Sequence, residues 1–177
     1  MARTEGTVVL FGGPAGAGKS TLARAWCGTR AQAAHLELDG IRALIVSGLA
    51  DPQEPSEANT AQYRASVEAT CALARAFTTN AIDVAIDDVL QPEAFERFWQ
   101  PNLAGLEWKL VIVLPTIEES LARSRRRAKR VGEELTRSQH AECAGWDESL
   151  RIDTSGLDAG RSLALVLECL GKQRLAQ

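Results

Sequence analysis

Three glycines, a lysine and a hydroxyl stand together in Gly13-Pro14-Ala15-Gly16-Ala17-Gly18-Lys19-Ser20 and meet every fixed position of G-x-x-x-x-G-K-[ST]. The chemistry open to such a run is anion capture. Glycines let the backbone curl until several N–H groups converge into a nest for phosphate oxygens. Lys19 is placed to neutralise the outer phosphates of a nucleoside triphosphate, and Ser20 to offer its hydroxyl to Mg²⁺. Thr21 leads into Leu22-Ala23-Arg24-Ala25-Trp26, which reads as a helix whose N-terminus lies beneath the phosphates.

Other groups along the chain could act on a nucleotide held there. Asp39 and Arg42, in Leu38-Asp39-Gly40-Ile41-Arg42, follow the second apolar run. A carboxylate at the C-terminal end of a strand faces the ligand crevice of an open α/β sheet and can take a proton from an attacking hydroxyl. Arg42, one turn on, can hold an anionic group of the acceptor, or pair with an N-capping Asp39. The third run, Val84-Ala85-Ile86-Asp87-Asp88, ends in two carboxylates. Asp87 is the first candidate for a Mg²⁺-bound water and Asp88 the second, although both could instead cap a helix starting near Pro92. Asp83 interrupts this run. The stretch from Glu118 to Arg130 is the most basic in the chain, and on a helix it puts Arg123, Arg127 and Arg130 on one face. That face could close over the phosphates and stabilise charge in transfer, or remain a solvated basic surface. Ile152-Asp153-Thr154-Ser155-Gly156 suits a loop against the nucleotide base or an ordinary turn.

Elements must exist to hold these groups. Five short apolar runs, Thr7 to Phe11, His35 to Leu38, Ile82 to Ile86, Leu110 to Leu114 and Leu150 to Asp153, alternate with amphipathic stretches. That alternation predicts an α/β fold, a parallel sheet with helices on both faces. The longest connection runs through a helical piece from Ile41 to Gly48, a polar stretch from Asp51 to Ser56 and a helix from Glu57 to Thr79. Residues 41–80 are therefore the expected acceptor-binding region and 117–145 the lid. The apolar helix Ser162 to Leu170 is expected to pack on the sheet.

At 177 residues the chain suits one domain, residues 1–177, and 45% hydrophobic with 24% charged residues is an ordinary globular balance. No apolar run nears the roughly 20 residues of a membrane span. The first six residues lead straight into a strand without a signal segment, so a cytoplasmic location is expected. Cys27, Cys71, Cys143 and Cys169 are far apart and read as buried reduced thiols; two histidines, His35 and His140, exclude a His-based metal cluster. A net charge of −3 and 5% aromatic residues argue against a nucleic-acid partner, and the basic stretch argues for one.

Taken in order, these segments resemble the small phosphate-loop kinases grouped with polynucleotide 5′-hydroxyl kinase, chloramphenicol phosphotransferase and zeta toxins. Gly13 to Thr21 is similar to the family's ATP loop, and Asp39-Gly40-Ile41-Arg42 to its D-x-x-R, in which the aspartate serves as base and the arginine contacts the acceptor. Asp87 to Pro92 is similar to the family's acid-plus-proline turn, and Arg123 with Arg127 to its lid R-x-x-x-R. The resemblance implies a three-layer phosphate-loop kinase fold with sheet order 2-3-1-4-5, use of ATP and Mg²⁺, and in-line transfer of the γ-phosphoryl group to a small-molecule hydroxyl. Lys19, Asp39, Arg123 and Arg127 are its catalytic candidates, with Arg42 and Asp88 on the acceptor. A polynucleotide 5′-kinase and a non-catalytic ATP switch contacting protein through the helix from Glu57 stand as alternatives, each as monomer or homodimer.

Overall fold

The computed structural model describes residues 5–125 and 131–173. Its strands β1 (Val8–Gly12), β2 (Ala33–Glu37), β3 (Asp83–Asp87), β4 (Trp108–Val113) and β5 (Arg151–Ile152) form one sheet in the order β2-β3-β1-β4-β5. Every pairing is parallel, because each connection carries a helix back across the sheet. This is the three-layer phosphate-loop kinase fold. The central strands β1 and β3 are buried along their whole length, as strands covered on both faces must be.

One face is covered by α1 (Lys19–Cys27) and α8 (Ala159–Lys172), where Trp26, Val166 and Leu170 pack against Val9, Phe11 and Val111. The opposite face is covered by α3 (Glu57–Thr78) and by a broken helix made of α4 (Pro92–Ala94), the π-helical turn Phe95–Trp99 and α5 (Gln100–Asn102). Val67, Cys71, Trp99 and Leu103 meet Val8, Leu10 and Ile86 there. Trp99 has no exposed surface, and truncating such a side chain to alanine costs roughly 3–5 kcal/mol. Above the C-terminal edge of the sheet lie the short α2 (Leu38–Arg42), then α6 (Ile117–Arg125) and α7 (Glu133–Cys143).

Three expectations need correction. The helix expected over Ile41 to Gly48 starts three residues earlier and ends at Arg42, so Asp39 sits in its first turn rather than at the tip of a strand. Beyond it the chain is tied to α3, with Gln62 accepting from Ala50 N–H and donating to Gly48 O, and Gly48 takes φ +71°. Asp83 is no flaw in the third strand. It is buried, accepts from Thr7 N–H at 2.8 Å and meets Arg30 at 2.6 Å, which fastens the start of β3 to the segments before β1 and β2. The strand boundaries also shift by one to two residues, as at β2, which ends at Glu37 where Leu38 turns into α2. The four thiols are free. Burial pushes Cys71 up to about 11 and Cys143 up to about 12, so neither is a ready nucleophile.

Candidate active site

Gly13, Gly16 and Gly18 adopt φ values of +142°, +79° and +100°, which side-chain-bearing residues rarely reach. Space makes the same demand. A Cβ on Gly13 would lie 2.3 Å from Val113 O, and one on Gly16 2.1 Å from Ser120 O, so the loop is wedged between β4 and α6. Lys19 is 8% exposed and donates to Pro14 O at 2.9 Å across the loop. Ala15 N–H, in the middle of the nest, donates at 3.0 Å to Gln139 Oε1 from α7. A side-chain amide oxygen therefore satisfies one of the loop's inward backbone donors.

Ser20, one residue into α1, donates from Oγ to Asp87 Oδ2 at 2.6 Å, and His35 Nε2 lies 2.6 Å from Oδ1 of the same carboxylate. The parallel register that sets Glu37 beside Asp87 and His35 beside Ala85 brings the imidazole within reach. A hydroxyl and a carboxylate oxygen side by side are hard donors of the kind Mg²⁺ takes together with substrate phosphates. Asp87 and Asp88 do not cap the next helix. Its N-cap is Gln91, and Asp88 instead accepts from Tyr63 O–H at 2.7 Å and from Val89 N–H at 2.7 Å. Trp99 Nε1–H donates in turn to Tyr63 Oη at 3.0 Å. Burial pushes the Asp88 carboxyl up to about 6, against the opposing pull of Tyr63, Val89 N–H and Lys19. Burial and then the Asp88 charge push the Tyr63 hydroxyl well above the usual phenol range, which fixes it as a donor.

Asp39 is exposed to the cavity; its main-chain oxygen accepts from Ala43 N–H at 3.0 Å, while its carboxylate forms no hydrogen bond or ion pair among the described residues. The Asp39–Arg42 pair, one of the sequence alternatives, is not formed. Arg42 is buried, and its Nη2 donates to Asn59 Oδ1 at 2.7 Å and to Ala50 O at 3.2 Å, while its Nε has no partner. Asp39, Arg42, Asp87, Asp88, Lys19 and Ser20 all line one cavity of about 720 Å³, roofed by Leu135 and Gln139 of α7.

Arg123 straps the loop from behind. It pairs with Glu119 and donates to Ala17 O at 3.2 Å and Thr154 O at 3.3 Å. The loop Ile152 to Gly156 is held by the same helix, with Gly156 N–H donating to Glu119 at 2.9 Å. Arg127 and Arg130 lie outside the described residues. The far end of α7 is anchored by His140 Nε2 to Pro115 O at 2.8 Å, and the turn after it by Trp146 Nε1 to Leu90 O at 3.1 Å.

The sequence gives His35, Asn59, Tyr63 and Gln139 no role in the site. Each is a single polar residue outside any motif. The one available signal, a histidine or tyrosine inside an otherwise packed segment, does not say which carboxylate it will meet.

Residues 8–148 match the family model described as an AAA domain. No curated protein matches the sequence. Among solved structures, the Deinococcus radiodurans tunicamycin resistance protein is similar at a TM-score of 0.70 and 17% identity, over 97% of this chain and 99% of that one. A gluconokinase from Sinorhizobium meliloti 1021 is similar at 0.66 and 14%, over 97% and 94%. Thymidylate kinase from Candida albicans is similar at 0.67 and 12%, over 99% and 97%. Among the described residues, no helix is long and apolar enough to cross a membrane.

Proposed function

Because the chain belongs to the AAA domain family, we propose that it is an ATP-dependent phosphotransferase that moves the γ-phosphoryl group of Mg·ATP to a hydroxyl of a small molecule. The observation that carries this reading is that the phosphate loop, the Ser20–Asp87 pair and an unengaged Asp39 open on the same cavity. That cavity, at about 720 Å³, is of the size that encloses small ligands. Gluconokinase and thymidylate kinase are named for different acceptors, so the fold leaves the acceptor to the cavity walls.

In this reading the chain acts as one kinase domain over residues 1–177, with residues 41–80 forming the acceptor side and 117–145 the lid. The loop from Gly13 to Thr21 holds the phosphates through its amides, and Lys19 supplies positive charge. Ser20 and Asp87 would hold Mg²⁺, which would supply positive charge against the triphosphate, and His35 fixes the Asp87 carboxylate. Asp39 orients the acceptor hydroxyl and takes its proton as the new oxygen–phosphorus bond forms and the β–γ bridge breaks, leaving ADP. Arg123 positions the loop through Ala17 O, and Arg127 is the candidate for stabilising charge on the transferring group.

Calorimetry with Mg·ATP and an ADP-release assay over hydroxyl compounds test the reading. Lys19→Ala should abolish turnover. Asp39→Asn should keep nucleotide binding and lose transfer, and normal transfer by that variant would overturn its role as base.

A further inference from the structure

The cavity walls restrict the acceptor more than the fold does. Among the described residues that line it, the charged ones are Lys19, Glu37, Asp39, Arg42, Asp87 and Asp88. Lys19 and Asp87 belong to the nucleotide side, and Glu37 meets Arg24 at 3.4 Å on the surface. Among the described residues, two carboxylates, Asp39 and Asp88, and one guanidinium, Arg42, remain for an acceptor. Arg42 spends Nη2 on the neutral oxygens Asn59 Oδ1 and Ala50 O and leaves Nε without a partner, so it brings a single positive charge against the two carboxylates. Among the described residues, a phosphate or carboxylate on the acceptor side would face two negative charges and one positive charge, at short range and partly out of water.

Asp88 is built to be read from the cavity. The relay from Trp99 Nε1–H to Tyr63 Oη and from Tyr63 O–H to Asp88 Oδ2 fixes its rotamer, and Val89 N–H takes the other oxygen. Each carboxylate oxygen keeps a second acceptor position free of these bonds. Beside it the wall is apolar. Tyr63 and Phe98 stand edge to face with centroids 5.5 Å apart, next to Leu38, Val89 and Leu135. Arg97 stacks on Phe98 at 4.9 Å but is not among the residues lining the cavity.

On the basis of the phosphotransferase reading above, we infer that the acceptor is a hydroxyl compound bearing a protonated amine and an apolar or aromatic face, and carrying no phosphate, sulfate or carboxylate group. Asp88 receives the ammonium, Tyr63 and Phe98 pack on the apolar face, and Asp39 is left for the reacting hydroxyl.

The test is ADP release by the full chain with Mg·ATP and three matched sets of probes. The first set is aryl amino alcohols, amino sugars and aminocyclitols. The second is their neutral counterparts with hydroxyl in place of amine, and the third is sugar acids, sugar phosphates and nucleoside monophosphates. An amine compound should exceed its neutral counterpart in kcat/KM by roughly tenfold or more, the range of a hydrogen bond to a charged group, with the anionic set lowest. Asp88→Asn should erase the preference for amine over its neutral counterpart, an effect that mere loosening of the fold would not produce selectively. Thr60→Lys, on an exposed position of α3 that lines the cavity, should raise turnover of the anionic set, and it keeps the proposal testable if the Asp88 variant does not fold. Turnover of anionic compounds by the unaltered protein at or above the level of the amines overturns the proposal. So does the absence of stimulation by any set while Mg·ATP still binds, an outcome that leaves nucleotide binding standing. Failure to bind Mg·ATP at all would instead remove the phosphotransferase reading beneath it.

Discussion

Gln139 gives the most direct handle on the phosphate loop, because on the proposed reading its amide oxygen occupies a backbone donor that nucleotide would need. Ala15 N–H has one hydrogen to give, and it goes to Gln139 Oε1 at 3.0 Å. A phosphate oxygen entering the nest displaces that bond. A neutral hydrogen bond of this kind is worth roughly 0.5–1.5 kcal/mol net, so Gln139→Ala should tighten ADP and ATP binding by about 2- to 12-fold. Gln139→Glu should act the other way. A carboxylate makes a charge-assisted bond of about twice the strength and repels the incoming phosphates, so binding should weaken by about tenfold or more. Calorimetric titration of both variants and the unaltered protein with Mg·ADP and Mg·ATP, at low and high salt, reads these changes. The glutamate effect should shrink as salt rises and the alanine effect should not. Weaker nucleotide binding by Gln139→Ala would refute the competition, since the amide would then be supporting the bound phosphates. An affinity within twofold of the parent would show that the bond does not have to break.

Gly16→Ala combines a φ of +79° with a Cβ 2.1 Å from Ser120 O, so unfolding stability should fall by roughly 2–5 kcal/mol and nucleotide binding should be lost. A variant that melts with the parent in denaturant would contradict the wedged loop. Asp87→Asn should strongly raise the Mg²⁺ concentration needed for half-maximal nucleotide affinity while metal-free nucleotide binding changes little, and an unshifted Mg²⁺ dependence rules Asp87 out as ligand. In metal-free, nucleotide-free protein Asp88, which faces Tyr63, Lys19 and Asp39, titrates near 6 because burial penalises its charge. Its folded-state value is raised, so its contribution to stability is fully present below the ordinary carboxylate value of 3.8 and is lost as pH rises through about 6. Asp88→Asn should therefore gain stability relative to the parent between pH 4 and 7. Melting curves that stay parallel over that range count against it.

The phosphate loop was legible because its geometry is local. Positive φ at Gly13, Gly16 and Gly18 and the step into α1 at Lys19 involve residues within a few positions of one another. The sheet was legible for a related reason, since apolar runs at β1, β3 and β4 have no alternative to burial between two helical layers. Position within an element was less secure. Period-2 and helical patterns overlap in a run as short as Leu36-Glu37-Leu38, so the sequence puts Asp39 at a strand end, whereas the fold buries Leu38 and starts α2 there.

The residue pattern alone thus yields a glycine-rich turn after the first strand of a parallel sheet and a pair of acids, Asp87 and Asp88, where the third strand ends. Which partner each polar side chain takes was settled by the packed fold. His35 reaches Asp87 across 52 positions, Tyr63 reaches Asp88 across 25, and Gln139 reaches Ala15 across 124. Such pairs are chosen by strand register and helix packing, because a buried donor must be satisfied by whatever acceptor the fold brings near. No local pattern in the chain encodes that choice.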